Sequence, residues 1–162
     1  MRKFRKITAL MLALTMAALL LTACGGGSGK GGDVSVDVAA LADELNKDTV
    51  TTDTLSETKE SMLASIYYFE DGQVTESKAY MSSGATADEV AVVKCKDAAA
   101  TKDVETLFNN RVKAQSDLYS TYKPEESDKL KDAIIKSAGQ YTVLVVCDDY
   151  DKANEILKKY GF

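Results

Sequence analysis

The chain has 162 residues and a net charge of −5, from 20 basic and 25 acidic side chains, and it contains no histidine or tryptophan. An acidic chain lacks the basic surface through which nucleic-acid binders contact phosphates, so a nucleic-acid partner is excluded. Without histidine, and with only three cysteines, the chain cannot assemble the usual zinc or transition-metal sites or the histidine-based catalytic triads, and we expect no metal and no cofactor.

The first 23 residues predict a lipoprotein signal peptide. Four basic residues between positions 2 and 6 precede an apolar segment of about 15 residues, shorter than the roughly 20 that a membrane-spanning helix needs. The segment ends in Leu-Thr-Ala directly before Cys24, the lipobox pattern. We therefore expect cleavage before Cys24 and a palmitate-type lipid anchor on its thiol. The alternative is an ordinary signal peptide with a chance cysteine.

Residues 24–36 predict a flexible tether, because positions 25–32 are almost all glycine. They do not predict a phosphate-binding loop, which needs a strand before it and a helix after it. Removal of residues 1–23 leaves 16 basic and 25 acidic side chains, a net charge of −9. Residues 37–162 are enough for one domain with its own core, and its acidity predicts no adsorption to anionic lipid headgroups.

The first half of this domain mixes helical and strand patterns. Asp37 predicts the N-cap of a helix that ends near Asn46, and residues 47–58 predict a surface loop. Residues 58–69 fit a helix or a strand equally well. A turn at residues 71–72 then introduces a strand, Val74–Met81.

The second half contains the strongest patterns. Residues 90–95 and 141–147 are apolar on both faces, as in strands inside a sheet, although Thr86 and Glu89 also fit a capping box that opens a helix. A long helix is predicted between them, over residues 100–122, and Pro124 opens a short helix. Residues 132–138 fit a helix or a strand, and a last helix covers residues 150–159. The pattern predicts an α+β fold with a mostly antiparallel sheet of three to five strands.

Several residues support two interpretations each. Cys95 and Cys147 could form a disulfide, but each ends an apolar strand, which favours two buried thiols. The acidic residues at 148–151 lack EF-hand spacing and are better explained as helix caps than as a calcium site. The aromatic residues at 67–69 could line a sugar or peptide groove, although neighbours in a strand point to opposite faces and at least one is expected in the core.

A resemblance supports the predicted anchor. The chain contains Gly-Ala at 84–85, Ala-Asp-Glu-Val-Ala at 87–91, Lys-Asp at 96–97 and Gln-Tyr at 140–141, together with single residues at 111, 115, 122 and 124. With these motifs the chain resembles bacterial lipoproteins that carry domain of unknown function 4358, over about residues 37–162. The resemblance implies no reaction and no ligand.

Arg111 is the candidate site residue. It is the only arginine after residue 23, and with Gln115 it lies on a helical stripe that is otherwise apolar: residues 104, 107, 108, 118, 119 and 122. A charge on an inner helix face needs a partner. A structural ion pair, with Asp97, Asp148 or Asp149, is the favoured explanation, and a ligand-binding arginine is the alternative.

These patterns together predict a lipid-anchored protein on the outer face of the cytoplasmic membrane, or in the outer membrane or periplasm of a diderm cell. No serine-hydrolase motif is present, and we expect a non-enzymatic binding or accessory module rather than an enzyme. Its expected partners are the membrane, through lipid on Cys24, and an envelope protein or cell-wall component. The alternative is a receptor for a small anion or peptide that uses Arg111; an enzyme of unrecognised type ranks third.

Overall fold

The computed structural model describes residues 34–47 and 50–162. The predicted signal peptide, Cys24 and residues 24–33 of the predicted tether lie outside the described residues. The last part of that tether is described, and Val36 in it is buried in the core. The predicted helix after it is confirmed as α1, Val38–Leu45, because the Asp37 carboxylate accepts a hydrogen bond from the Ala40 N–H at 2.9 Å.

Five strands form one antiparallel sheet in the order β1-β2-β3-β5-β4, which confirms the predicted α+β class. The strands are β1 (Ser56–Thr58), β2 (Val74–Met81), β3 (Glu89–Cys95), β4 (Ile134–Ala138) and β5 (Tyr141–Val146). β1 lies in the stretch predicted as a loop. The two apolar runs form β3 and β5, which pair side by side inside the sheet. Nearly every residue in them is buried because helices cover both faces.

The helices form two layers around this sheet. The core on one face contains side chains of α1 and of α5, Tyr150–Lys159. The core on the other face contains side chains of α2 (Glu60–Tyr67), α3 (Ala100–Tyr122) and α4 (Pro124–Leu130). Among the helices of the described residues, none combines the length and the apolar character needed to cross a bilayer.

The structure decides between the alternatives that the sequence left open. Residues 60–67 form a helix, and residues 134–138 form a strand. The capping-box interpretation is wrong, because Glu89 begins β3 and the Thr86 hydroxyl donates to the Asp53 carboxylate at 2.8 Å. Asp149 caps α5, as expected for the acidic run, by accepting from the Lys152 N–H at 2.8 Å.

Cys95 and Cys147 are both free and fully buried. Cys95 ends β3, while Cys147 follows β5; since the two strands are antiparallel, the thiols lie at opposite ends of the sheet. They also belong to the cores on opposite faces. Burial raises the pKa of the Cys95 thiol, and it raises the pKa of Cys147 to about 12. Both thiols are therefore protonated and act as small apolar core residues.

Candidate functional site

Arg111 forms a buried ion pair with Glu89, not with Asp97, Asp148 or Asp149. Its Nε and Nη2 donate to Glu89 Oε2 at 3.1 and 2.8 Å. Glu89 is 4% exposed, whereas the Arg111 side chain retains 23% exposure. Burial opposes the charge on Arg111, but the hydrogen bonds and charge of Glu89 outweigh it and raise the pKa of the guanidinium.

The Tyr67 hydroxyl completes this ion pair. Tyr67, at the end of α2, is 1% exposed and donates to Glu89 Oε1 at 2.8 Å. Burial and the charge of Glu89 raise the pKa of Tyr67 well above its usual value, so the hydroxyl remains a donor. The Glu89 carboxylate thus accepts from two side chains on two helices. The favoured interpretation of Arg111 as a structural ion pair agrees with this geometry, although the partner differs from the three that we expected.

A second polar cluster, the Lys129 cluster, includes Asp88, the residue directly before Glu89. Lys129 Nζ lies 2.9 Å from Asp88 Oδ1, 2.7 Å from Asp148 Oδ1 and 3.4 Å from Glu126 Oε2. Asp88 is fully buried, and its Oδ2 has no hydrogen-bond partner among the described residues. Asp148 does not cap a helix; its Oδ2 accepts from the backbone and side chain of Thr52.

Charge compensation in the Lys129 cluster is uneven. Burial raises the pKa of Asp88 more than its bond to Lys129 lowers it. For Asp148 burial is outweighed by hydrogen bonds from Lys129 and Thr52, which lower the pKa. For Glu126, hydrogen bonds from the Ala87 N–H and from Lys123 outweigh the effect of burial and lower the pKa. Lys129 therefore holds three carboxylates of unequal acidity at one end of the sheet.

The loop between β2 and β3, residues 82–88, is attached to α3 and α4 through several further contacts. The Ala87 N–H donates to Glu126 at 2.8 Å, and Lys123 Nζ donates to the Ala85 carbonyl at 2.6 Å. The Tyr119 hydroxyl donates to the Thr86 carbonyl. Of the residues that carry the family resemblance, Gly84, Ala85, Ala87 and Asp88 lie in this loop, which these contacts fix to the two helices.

The predicted inner stripe of α3 is only partly buried. Phe108 and Tyr119 are in the core, but Leu118 and Tyr122 are 55% and 56% exposed, which corrects the prediction for these two residues. Gln115 is half-buried, and its side chain makes no hydrogen bond within the described part of the chain.

Tyr68 is the most exposed large apolar residue that the structure describes, at 79%. It is also the only residue other than glycine with a positive φ (62°) in the described ranges. This left-handed conformation ends α2, and the next N–H donates back to the Ala64 carbonyl at 3.0 Å. Glycine fits such a position without strain, whereas a bulky residue there is uncommon.

The neighbours of Tyr68 hold it in place. The rings of Tyr67 and Phe69 stack 5.3 Å apart, and both pack against Phe108 of α3. The aromatic run is therefore not part of a strand, which was one of the two alternatives that the sequence left open for residues 58–69. Two of its rings belong to the core, and the middle one points outward because the left-handed residue reverses the chain.

A surface pocket lies on each side of the Tyr68 ring. The acidic pocket, of about 270 Å³, is lined by Tyr68, Glu70, Gln73, Asp103, Thr106 and Leu107. The arginine pocket, of about 140 Å³, is lined by Ile66, Tyr68, Leu107, Asn110, Arg111 and Ala114. A larger depression of about 360 Å³ between α2 and β2 has none of the exposed large apolar residues in its lining. Tyr68 and Leu107 thus separate two adjoining pockets of different chemistry.

The sequence singled out Arg111 and offered Tyr68 as part of a possible groove, but it suggested Glu89 only as half of a capping box and gave no indication of Lys129. For Glu89 the sequence did contain a signal: the acidic pair at 88–89 stands next to the apolar run that starts at Val90, so these carboxylates would need partners. Tyr68 ends a helix at a position where glycine is usual. This could have been recognised only after residues 58–69 had been assigned as a helix.

Comparison with protein families matches residues 48–147 to a family described as domain of unknown function (DUF4358). No curated protein and no solved structure matches the chain.

Proposed function

Since the chain belongs to the family of domain of unknown function 4358, whose description assigns no activity, we propose that it is a lipid-anchored, non-enzymatic module that binds an envelope component on the surface around Tyr68. The observation that carries this proposal is the outward ring of Tyr68 in a left-handed conformation, with a pocket on either side. Backbone strain of this kind persists where the surrounding structure enforces it, and it is common at ligand sites.

The use of the charged side chains supports binding rather than catalysis. Glu89 and Arg111 are bound to each other, and Lys129 is surrounded by carboxylates. A general acid or base must instead present its proton or lone pair to a substrate. Around Tyr68, by contrast, the side chains of Glu70, Asp103 and Asn110 are exposed and remain able to form new contacts.

The lipid anchor is tested by replacing its cysteine. We expect Cys24→Ser to abolish lipid attachment, so that the domain is released from the membrane fraction or stays as an unprocessed precursor. Fractionation with mass spectrometry of the N-terminus measures both outcomes. Cys95→Ser serves as the control, because this thiol is buried in the sheet. A cleaved Cys24→Ser protein that still partitions with the membrane would refute the anchor.

The binding surface is tested by photo-crosslinking in intact cells. We expect a photoreactive residue at position 68 to give a discrete adduct that mass spectrometry can assign to a protein or a glycan. The control is the same residue at Lys152 in α5, which packs on the opposite face of the sheet. Equal labelling at both positions, or no adduct at position 68, would contradict a binding role for the Tyr68 surface.

A receptor for a small anion or peptide at Arg111 is the second candidate, because Arg111 reaches the arginine pocket. Two of its three guanidinium nitrogens already bind Glu89, and this carboxylate compensates the charge. The geometry therefore favours a neutral acceptor at Arg111 over a free anion.

A further inference from the structure

The acidic pocket beside Tyr68 offers both acceptors and a donor. Glu70 and Asp103 form no ion pair within the described residues, so both carboxylates can accept new hydrogen bonds. Gln73 is 5% exposed, and its Oε1 accepts from the Glu70 N–H at 3.0 Å. Its Nε2 has no hydrogen-bond partner in the described part of the chain, so this buried side chain presents an amide donor in the pocket.

This combination selects among ligand classes. Two carboxylates repel an anion. An ammonium group would satisfy the carboxylates, but it has no lone pair to accept a hydrogen bond from Gln73 Nε2. A hydroxyl group both donates and accepts, so neighbouring hydroxyls on one ring satisfy Glu70, Asp103 and Gln73 together. The exposed face of Tyr68 provides an apolar platform for the C–H face of such a ring.

The arginine pocket continues this site on the other side of Tyr68. Its walls include the apolar side chains of Ile66, Leu107 and Ala114, and Arg111 also lines it. Nη1 of Arg111 has no partner among the described residues, while Glu89 compensates the charge through Nε and Nη2. A compensated guanidinium with open N–H groups suits a neutral carbonyl oxygen. A cavity of about 140 Å³ has room for a substituent with a methyl and a carbonyl group.

From these two pockets we propose that the Tyr68 surface binds a saccharide with N-acetyl substituents. The sugar ring stacks on Tyr68, its hydroxyls bond to Glu70, Asp103 and Gln73, and the acetamido group enters the arginine pocket. This inference rests on the proposed binding function and names its ligand class. It requires no covalent step.

The test is a titration of the purified full chain, followed by amide NMR shifts, in micelles of a detergent without a sugar headgroup. The probe is triacetylchitotriose. We expect saturable shifts at Tyr68, Glu70, Gln73 and Ala114, with a dissociation constant at least tenfold lower than for cellotriose, which lacks the acetamido groups. Deacetylated chitotriose carries amines instead, and we expect it to bind as weakly as cellotriose.

Matched variants connect this binding to Tyr68. Tyr68→Asn removes the ring, and asparagine tolerates the left-handed conformation, so the fold is preserved; we expect affinity to fall at least tenfold. Tyr122→Asn removes another exposed tyrosine ring that lines neither pocket, and it should bind like the wild type. Gln73→Glu keeps the acceptor for the Glu70 N–H but removes the donor, and it should weaken binding severalfold.

Three outcomes would overturn the inference: no saturable shift with triacetylchitotriose, unchanged affinity in Tyr68→Asn, or tighter binding of the deacetylated sugar. The last would identify an amine site. If the sugars do not bind while position 68 still crosslinks to a protein in cells, the glycan inference fails and the proposed binding function stands. If position 68 gives no adduct of any kind, the binding function itself fails.

Discussion

Replacement of Arg111 by glutamine is expected to lower the free energy of unfolding by about 3–5 kcal/mol, because it leaves Glu89 as a buried charge without its partner. Glutamine keeps much of the aliphatic stem and can donate one hydrogen bond, but it cannot compensate the charge of a carboxylate that is 4% exposed. Urea denaturation of the wild type and the variant measures the difference. A loss of this size in the absence of any ligand would exclude a purely ligand-binding role for Arg111.

Two further variants separate the ion pair from general effects of mutation. Lys113→Gln removes an ion pair with Asp117 in which both side chains are at least 70% exposed, and it should change stability little. The triple variant Tyr67→Phe, Glu89→Leu, Arg111→Met replaces the whole buried group by apolar side chains and should recover most of the stability. If Arg111→Gln is as stable as Lys113→Gln, the structural interpretation of the ion pair is wrong.

Replacement of Lys129 by methionine should be similarly destabilising, by about 3–5 kcal/mol at neutral pH, because it removes the cation that three carboxylates share. Asp88 contributes most to the loss because it is fully buried. Thermal or urea unfolding measures the effect. Lys131→Met is the matched control, since that side chain is 69% exposed and pairs with an exposed aspartate, and we expect it to unfold like the wild type.

The stability difference between the wild type and Lys129→Met should become smaller as the pH falls toward about 5. In the wild type the pKa values of Glu126 and Asp148 are lowered by their partners, so stability is lost as the pH falls through these values. In the variant the buried carboxylates lose their cation and their pKa values rise above those of the unfolded chain. The folded variant then takes up protons, which stabilises it as the pH falls. A deficit that widens in acid would contradict this account.

The strongest sequence patterns predicted the architecture because each reflects burial directly. β3 and β5 are apolar on both faces and lie between two helix layers, and α3 and α5 have the predicted ranges. Residues 58–69 could not be assigned because the helix is only about two turns long and the aromatic run at 67–69, which begins at its last residue, also suits a strand. Periodicity over so few residues does not distinguish the two.

The partner of Arg111 could not be predicted because sequence spacing gives no information on which strand end faces which turn of a helix. Glu89 is 22 residues away, and the pairing depends on how α3 crosses the sheet. The exposure of Leu118 and Tyr122 was missed for a related reason. Periodicity places residues on one side of a helix but does not show what packs against each turn: Tyr119 is buried, whereas its neighbours Leu118 and Tyr122 are exposed.

The adjacent positions of Asp88 and Glu89 have a consequence for the cooperativity of the domain. One residue binds Lys129 of α4 and the next binds Arg111 of α3, on either side of the break at Pro124. Neither helix can separate from the sheet without leaving a buried carboxylate, Glu89 or Asp88, without its cation. The two helices and the 82–88 loop should therefore open together as one folding unit.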